Sequence, residues 1–302
     1  MVKLNKKGRD YHLVCHMCPR SCCVDRKNSV GFCGVPEEFV VARAALHFWE
    51  EPCISGKNGS GTVFFSGCNL RCAYCQNYPI SHDCFGKGVS DEKLTEIFDS
   101  LIEQGAQNIN LVNPTHYALQ LARVLKDYKS PVPIVYNSSG YESVETLKKL
   151  EGLIDIYLPD LKYSTPDKAE KYSAASDYFE KASAAVAEMR RQVPEDIFSP
   201  DGMLLKGLII RHLILPMNTN RSLEIFAWIK KTLGEKTLVS LMAQYTPCGK
   251  IDAFPELQRK ITGREYEKVL SFLEEEGFEN AFVQQRTAAD SGFIPDFDLT
   301  GI

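Results

Sequence analysis

Three cysteines, Cys68, Cys72 and Cys75, form the most specific chemical pattern in the chain. Their C-x3-C-x2-C spacing lets three thiolates close on one compact metal centre. Three cysteine ligands leave one iron of a 4Fe–4S cluster without a protein ligand, whereas four would saturate it. An open iron can take a substrate or cosubstrate, as the open position of a catalytic zinc does. The same spacing also suits a structural zinc ion that borrows a fourth ligand from Cys84 or His82.

A second set lies upstream. Cys15, Cys18, Cys22 and Cys33 follow C-x2-C-x3-C-x10-C, with Cys23 adjacent and His16 as a nitrogen donor. Four ligands saturate a metal, which points to structure or electron relay and away from substrate activation. Zinc and a second iron–sulfur cluster both fit, and free cysteines in a loop are the plain alternative. Cys53, Cys84 and Cys248 have no evident partners and read as buried thiols. Ten of the eleven cysteines fall between Cys15 and Cys84. With no export signal in view, such clustering favours metal over disulfides.

These residues need a scaffold of 302 residues, and its composition is ordinary: 44% hydrophobic and 25% charged. The formal charge of −4 argues against a broad nucleic-acid or anionic-membrane surface. No apolar run approaches the ~18 residues that span a bilayer. The start Met1–Lys7 is basic with no apolar stretch behind it, so no leader is expected. A soluble, cytoplasmic protein is the expectation.

Residues 1–60 lack sustained periodicity and are expected to form a cysteine-rich, metal-binding segment. The turn-rich stretch 54–61 reads as a connector. Residues 61–302 then alternate short apolar runs with helical ones. The candidate strands are 62–66, 108–112, 133–137, 154–158, 208–215 and 237–242. Most are nearly continuous Val, Ile, Leu and Phe, as parallel strands buried on both faces should be. Ser90 caps a helix whose stripe is Leu94, Ile97, Phe98 and Leu101. Thr262 and Glu265 form a capping box for the last helix. A long Ala-rich, charged segment runs from Pro166 to Gln192. Six such units predict an α/β fold with a parallel sheet. Six are fewer than the eight of a closed barrel, so a partial barrel and an open doubly wound sheet both fit.

The Cys68-x3-Cys72-x2-Cys75 motif, with Tyr74 just before its third cysteine, resembles the signature of the radical S-adenosylmethionine (SAM) superfamily. The chain is further similar to a branch resembling the pyruvate formate-lyase activating enzyme. The likeness rests on Cys15 to Cys22, the Gly59 to Cys68 entry, and the Arg211-His212-Leu213-Ile214-Leu215-Pro216 strand. The resemblance implies a partial six-unit β/α barrel and a 4Fe–4S cluster on Cys68, Cys72 and Cys75. It implies that the open iron binds SAM and that a 5′-deoxyadenosyl radical abstracts hydrogen from a protein or peptide, with glycyl-radical activation the leading candidate. A glycyl radical enzyme as substrate and flavodoxin or ferredoxin as electron donor follow from the same likeness. Radical modification of a small molecule or of another protein residue is the alternative, and a zinc-stabilised adaptor is the non-enzymatic one.

The resemblance also proposes residues. The backbone at Tyr74 would face the adenine. Asn113, Thr115 and His116 stand where the superfamily often carries a Gly-Gly-Glu type segment. This chain has no carboxylate there, so Asn113 and Thr115 would accept from the SAM ammonium. Asn137 and Ser139 are candidates for ribose or carboxylate contacts. Asp160 and Lys162 match an Asp-Leu-Lys that lies beside SAM and substrate. Arg211, inside an apolar strand, needs a partner, and the SAM carboxylate is a candidate. His212 reads as a packed core histidine. Tyr245 is placed to approach the substrate.

Overall fold

A computed structural model describes residues 14–284 and 295–302. The basic start Met1–Lys7 lies outside the described residues. The first strand, β1 (Phe39–His47), falls inside the segment read as unpatterned. It pairs antiparallel with β2 (Ser60–Phe65) and with the short β3 (Lys87–Val89). The sheet therefore begins upstream of the boundary expected at residue 60.

Every other expected strand forms. They are β4 (Ile109–Val112), β5 (Ile134–Ser138), β6 (Ile156–Pro159), β8 (Leu204–Leu213) and β9 (Leu238–Met242). A two-residue β7 (Ile197–Phe198) pairs antiparallel with β8, and β10 (Ala281–Val283) adds a parallel edge strand. The sheet order is β10-β9-β8-β6-β5-β4-β2-β1-β3. Along this path from β2 to β10, with β7 off it, the order never reverses and the neighbouring strands are parallel. A doubly wound sheet has a point where the order reverses. This sheet has none, so it winds singly, as a β/α barrel does, and stays open between β10 and β3.

Helices join the strands. The main ones are α1 (Pro52–Ser55), α2 (Tyr78–Ser81), α3 (Asp91–Glu103), α4 (Ala118–Asp127), α5 (Val144–Leu147), α6 (Pro166–Ser173), α7 (Tyr178–Gln192), α8 (Ser222–Leu233) and α9 (Gly263–Glu275). Ser90 caps α3 through Lys93 N–H, and Thr262 with Glu265 forms the capping box of α9. The long segment after Pro166 breaks in two at Ala174, which takes the left-handed conformation.

Strand alternation sets what faces the inside of the sheet. Val135, Ile156, Leu158, Ile209 and Leu238 form an apolar layer, and α1 closes it from below with Cys53 and Ile54. One step further along the same strands come Asn137, Asp160, Arg211 and Ser240. The inner face thus passes from an apolar floor to a polar rim at the C-terminal ends.

Candidate functional site

The cysteine loop begins where β2 ends. Gly67 is left-handed (φ +84°), and a Cβ there would lie 2.7 Å from the Cys33 carbonyl and from a Val35 methyl. Only glycine allows this approach. Beyond it, Cys68, Cys72 and Cys75 line one cavity of about 130 Å³. Each sulfur has a hydrogen-bond partner. Leu70 N–H donates to Cys68 Sγ at 3.3 Å, and the Ser173 hydroxyl donates to Cys72 Sγ at 3.0 Å. Ser81 Oγ lies 3.1 Å from Cys75 Sγ. Burial pushes all three thiols up, Cys75 to about 11.

Among the described residues, no three cysteine, histidine, aspartate or glutamate side chains converge as they would on a single metal ion. Thiolates of a zinc site must meet at one point, whereas those of a cubane each bind a different iron. Three cysteines around one cavity suit a cluster that keeps one iron free of protein ligands. His82 stacks on Tyr78 at 4.1 Å, with Nδ1 2.8 Å from the Ser81 hydroxyl that also meets Cys75.

The same cavity is lined by Asn113, Asn137, Ser139, Asp160, Lys162 and Arg211. An adjoining cavity of about 240 Å³ shares Cys72, Cys75 and Arg211 and adds Trp49, Glu50, Tyr74 and Gln244. Arg211 is held by three side chains of the protein. Its Nε donates to Asp160 Oδ1 at 2.9 Å, one terminal nitrogen to Glu50 Oε2 at 3.1 Å, and the other to Asn137 Oδ1 at 2.6 Å. The buried guanidinium found its partners within the protein. Lys162 Nζ meets Asp160 Oδ2 at 2.6 Å. Burial opposes ionisation of Asp160, but Lys162 and Arg211 outweigh it and hold the carboxyl below its usual range. Lys162 has donors to spare and also acts electrostatically on all three thiols.

Glu50 was not singled out in the sequence. It follows β1, yet its Oε1 accepts from Asn110 at 3.1 Å and from Asn137 at 3.2 Å, tying β4, β5 and β8 together at the rim. The pair Glu50-Glu51 before Pro52 was its only sequence signal. Ser139 Oγ is buried on the cavity with no hydrogen-bond partner among the described residues. Asn113 is left-handed, and its amide donates to the Gly67 carbonyl.

Three proposed residues are taken elsewhere. Thr115 is buried, and its hydroxyl donates to Glu142 Oε1 at 2.5 Å. His116 is buried with Nε2 2.7 Å from the Ser66 carbonyl, and desolvation lowers it to about 3, so it is neutral. Both lie in a 3₁₀ turn that carries them away from the rim. Tyr245 is buried and donates to the Leu257 carbonyl at 2.6 Å, with its ring edge-on to Tyr74. The Tyr74 hydroxyl is 2.6 Å from that of Tyr163. His212 is a core histidine, held by Leu161 O and Ser222 Oγ.

The upstream cysteines divide. Cys15 and Cys22 act electrostatically on Cys18, which burial pushes up to about 12. The Cys33 thiol instead points to the Val35 carbonyl at 3.9 Å and has Cys84 as its neighbour. The segment packs directly behind the cysteine loop. Cys68 N–H donates to Cys33 O at 3.2 Å, Arg20 to Asn69 O at 2.8 Å, and Arg71 to Phe32 O at 2.7 Å.

Fold and site together describe an α/β protein with a three-cysteine loop at the C-terminal ends of its strands. Residues 54–175 match the family model of the 4Fe-4S single cluster domain. Over 272 residues the chain is 31% identical to the uncharacterized protein MJ0674 of Methanocaldococcus jannaschii, covering 86% of this chain and 74% of that one. The chain belongs to that protein's family. Among solved structures it is similar to the FeFe-hydrogenase maturase HydG from Carboxydothermus hydrogenoformans, with TM-score 0.49, 16% identity, and coverage of 77% of this chain and 56% of that one. It is also similar to Streptococcus suis SuiB bound to precursor peptide SuiA, with TM-score 0.48, 11% identity, and coverage of 72% and 46%. The chain spans about half the length of these solved structures. Among the described residues, no helix is long and apolar enough to cross a membrane.

Proposed function

We propose that this protein is a radical SAM enzyme whose cluster is held by Cys68, Cys72 and Cys75. One observation carries the reading: the three cysteines share a cavity at the strand ends with Lys162, Asp160, Asn137 and Ser139. When bound and reduced, a 4Fe–4S cluster with one open iron cleaves SAM and supplies a 5′-deoxyadenosyl radical for hydrogen abstraction. The chain's own residues bind and orient. Lys162 offers a cation to the SAM carboxylate, and Ser139 offers an unpartnered hydroxyl. Arg211 and Glu50 hold the rim rigid, which favours precise placement. Tyr74 and the buried floor keep water from the reacting face.

The substrate class that fits the reading is a protein or peptide, with glycyl-radical activation as its specific form and flavodoxin or ferredoxin as donor. Cys15, Cys18 and Cys22 are proposed to hold a second centre, structural or electron-relaying. Anaerobic reconstitution with iron, sulfide, reductant and SAM tests the core reading by its product. 5′-Deoxyadenosine is expected at several turnovers or at least stoichiometrically. A reconstituted, reduced cluster that leaves SAM intact sinks the proposal.

A further inference from the structure

The segment from Pro166 to Gln192 has no role in the site as described so far. Yet its first helix, α6, ends against the cysteine loop. Tyr172 O accepts from Ala73 N–H at 2.8 Å, and Ser173 O accepts from Arg71 N–H at 3.2 Å. The Ser173 hydroxyl, fully buried, reaches Cys72 Sγ at 3.0 Å. Behind it stands Tyr163, with its hydroxyl 2.7 Å from Ser173 Oγ, and behind that Tyr74, 2.6 Å from Tyr163. All four residues are buried.

Each hydroxyl in this row has a single proton. A cysteine that ligates iron is a thiolate and has none to give. Ser173 must then donate to Cys72. Its oxygen is left to accept, so Tyr163 donates to Ser173, and Tyr74 in turn donates to Tyr163. The cluster ligand orders the protons of the whole row, and aligned donors of this kind strengthen one another.

We propose that Ser173 is a positioning residue that tunes the cluster's reduction potential, with Tyr163 and Tyr74 polarising it from behind. Hydrogen bonds to ligand sulfurs are among the features that set cluster potentials. Donation stabilises negative charge on sulfur, and that charge grows when the cluster takes an electron from its donor. The row therefore favours the reduced state. The α6 segment supplies the donor, which accounts for its place in the chain. The inference rests on the cluster assignment made above.

The test is a mediated redox titration of the reconstituted protein, followed by electron paramagnetic resonance of the reduced cluster. Ser173→Ala is expected to move the midpoint to a more negative potential, with about tenfold less reduced cluster at a fixed ambient potential, or ~59 mV for one electron. Tyr163→Phe leaves Ser173 in place and is expected to move it the same way by less. Tyr74→Phe should move it least. This graded order is what a merely structural role does not produce. If Ser173→Ala loses its cluster, Tyr163→Phe carries the test alone. Midpoints equal to that of the unaltered protein in every cluster-bearing variant overturn the proposal. Failure of the unaltered protein to assemble any cluster overturns the cluster assignment instead, so the two failures are distinct.

Discussion

Two cysteine-bearing regions lie back to back in this molecule and are built differently. In the loop from Cys68 to Cys75, all three thiols line one cavity, each with a hydrogen-bond partner of its own. In the segment from Cys15 to Cys33, Cys18 interacts with Cys15 and Cys22, but Cys33 turns to Val35 and Cys84. The first region hangs from the end of a fully buried strand, β2, and is braced by α6. The second is fastened by Arg20, Phe32 and Cys33 to the back of the first. Arg20 lies 3.9 Å over the Phe32 ring, and Arg71 covers it at 5.1 Å. The upstream thiols do not share one opening in this way: Cys15 lines a separate cavity of about 390 Å³ with His16, Asp25 and Arg26.

The sharpest way to break this contrast is to remove one thiol from each region. Cys72→Ala takes a ligand from the cavity and is expected to abolish SAM cleavage, with loss of most of the iron. Cys18→Ala is expected to lower metal content only in part and to leave measurable cleavage. Cys33→Ala should leave metal content unchanged, because its thiol is engaged by the Val35 carbonyl. Iron and zinc analysis beside 5′-deoxyadenosine assay reads all three. If Cys18→Ala abolishes cleavage as fully as Cys72→Ala, the two regions form one site. If Cys33→Ala loses metal as Cys18→Ala does, the division of the upstream set is wrong.

A second test asks whether the rim of the cavity, like its thiols, depends on convergence. Arg211 is 15% exposed and serves Asp160, Glu50 and Asn137 at once. Arg211→Ala leaves Glu50 without its cation and Asp160 with Lys162 alone. Breaking a buried ion pair by removing one partner costs about 3–5 kcal/mol. Denaturant unfolding should show a loss of that order, while Arg123→Ala, at an exposed pair with Asp91, should cost under about 1 kcal/mol. Equal losses would place Arg211 among ordinary surface charges.

Much of this was legible because local pattern and final position agree. The runs that became β2, β4, β5, β6, β8 and β9 each carry a stretch of Val, Ile, Leu or Phe, as buried parallel strands should. The Cys68 to Cys75 spacing is local too, so its three thiols could be grouped without a fold. What escaped depends on distance along the chain. Ser173 lies 101 residues from Cys72, and Glu50 reaches Arg211 across 161. No spacing rule links such pairs. Thr115 and His116 misled for a different reason. Their polarity suited a ligand, but a 3₁₀ turn buries them, with the Thr115 hydroxyl on Glu142 and His116 Nε2 on the Ser66 carbonyl. β1 was missed because cysteines and charges dominate the segment before it.

The smallest expected effect lies at the seam between the two regions, at Glu142. Its carboxyl is fully enclosed, accepts from Thr115 at 2.5 Å and from Tyr136 at 3.3 Å, and acts electrostatically on Cys18. Burial raises it to about 7, although hydrogen bonds from Thr115, Ser138 and Tyr136 pull the other way. In the unfolded chain it titrates near the ordinary carboxylate value, about 4.3. The folded state thus holds the proton more tightly. Its contribution to stability is complete below the unfolded value and is lost as pH rises toward and through 7. At ~1.4 kcal/mol per pH unit, the contribution lost is at most on the order of 4 kcal/mol. Glu142→Gln is neutral at every pH and keeps a hydrogen-bonding head of the same size. Between pH 5 and pH 8, the unaltered protein should lose stability relative to this variant. Anaerobic urea unfolding of both proteins at the two pH values measures the difference. Parallel behaviour of the two would mean that Glu142 is ionised in the folded protein across this range, despite its burial.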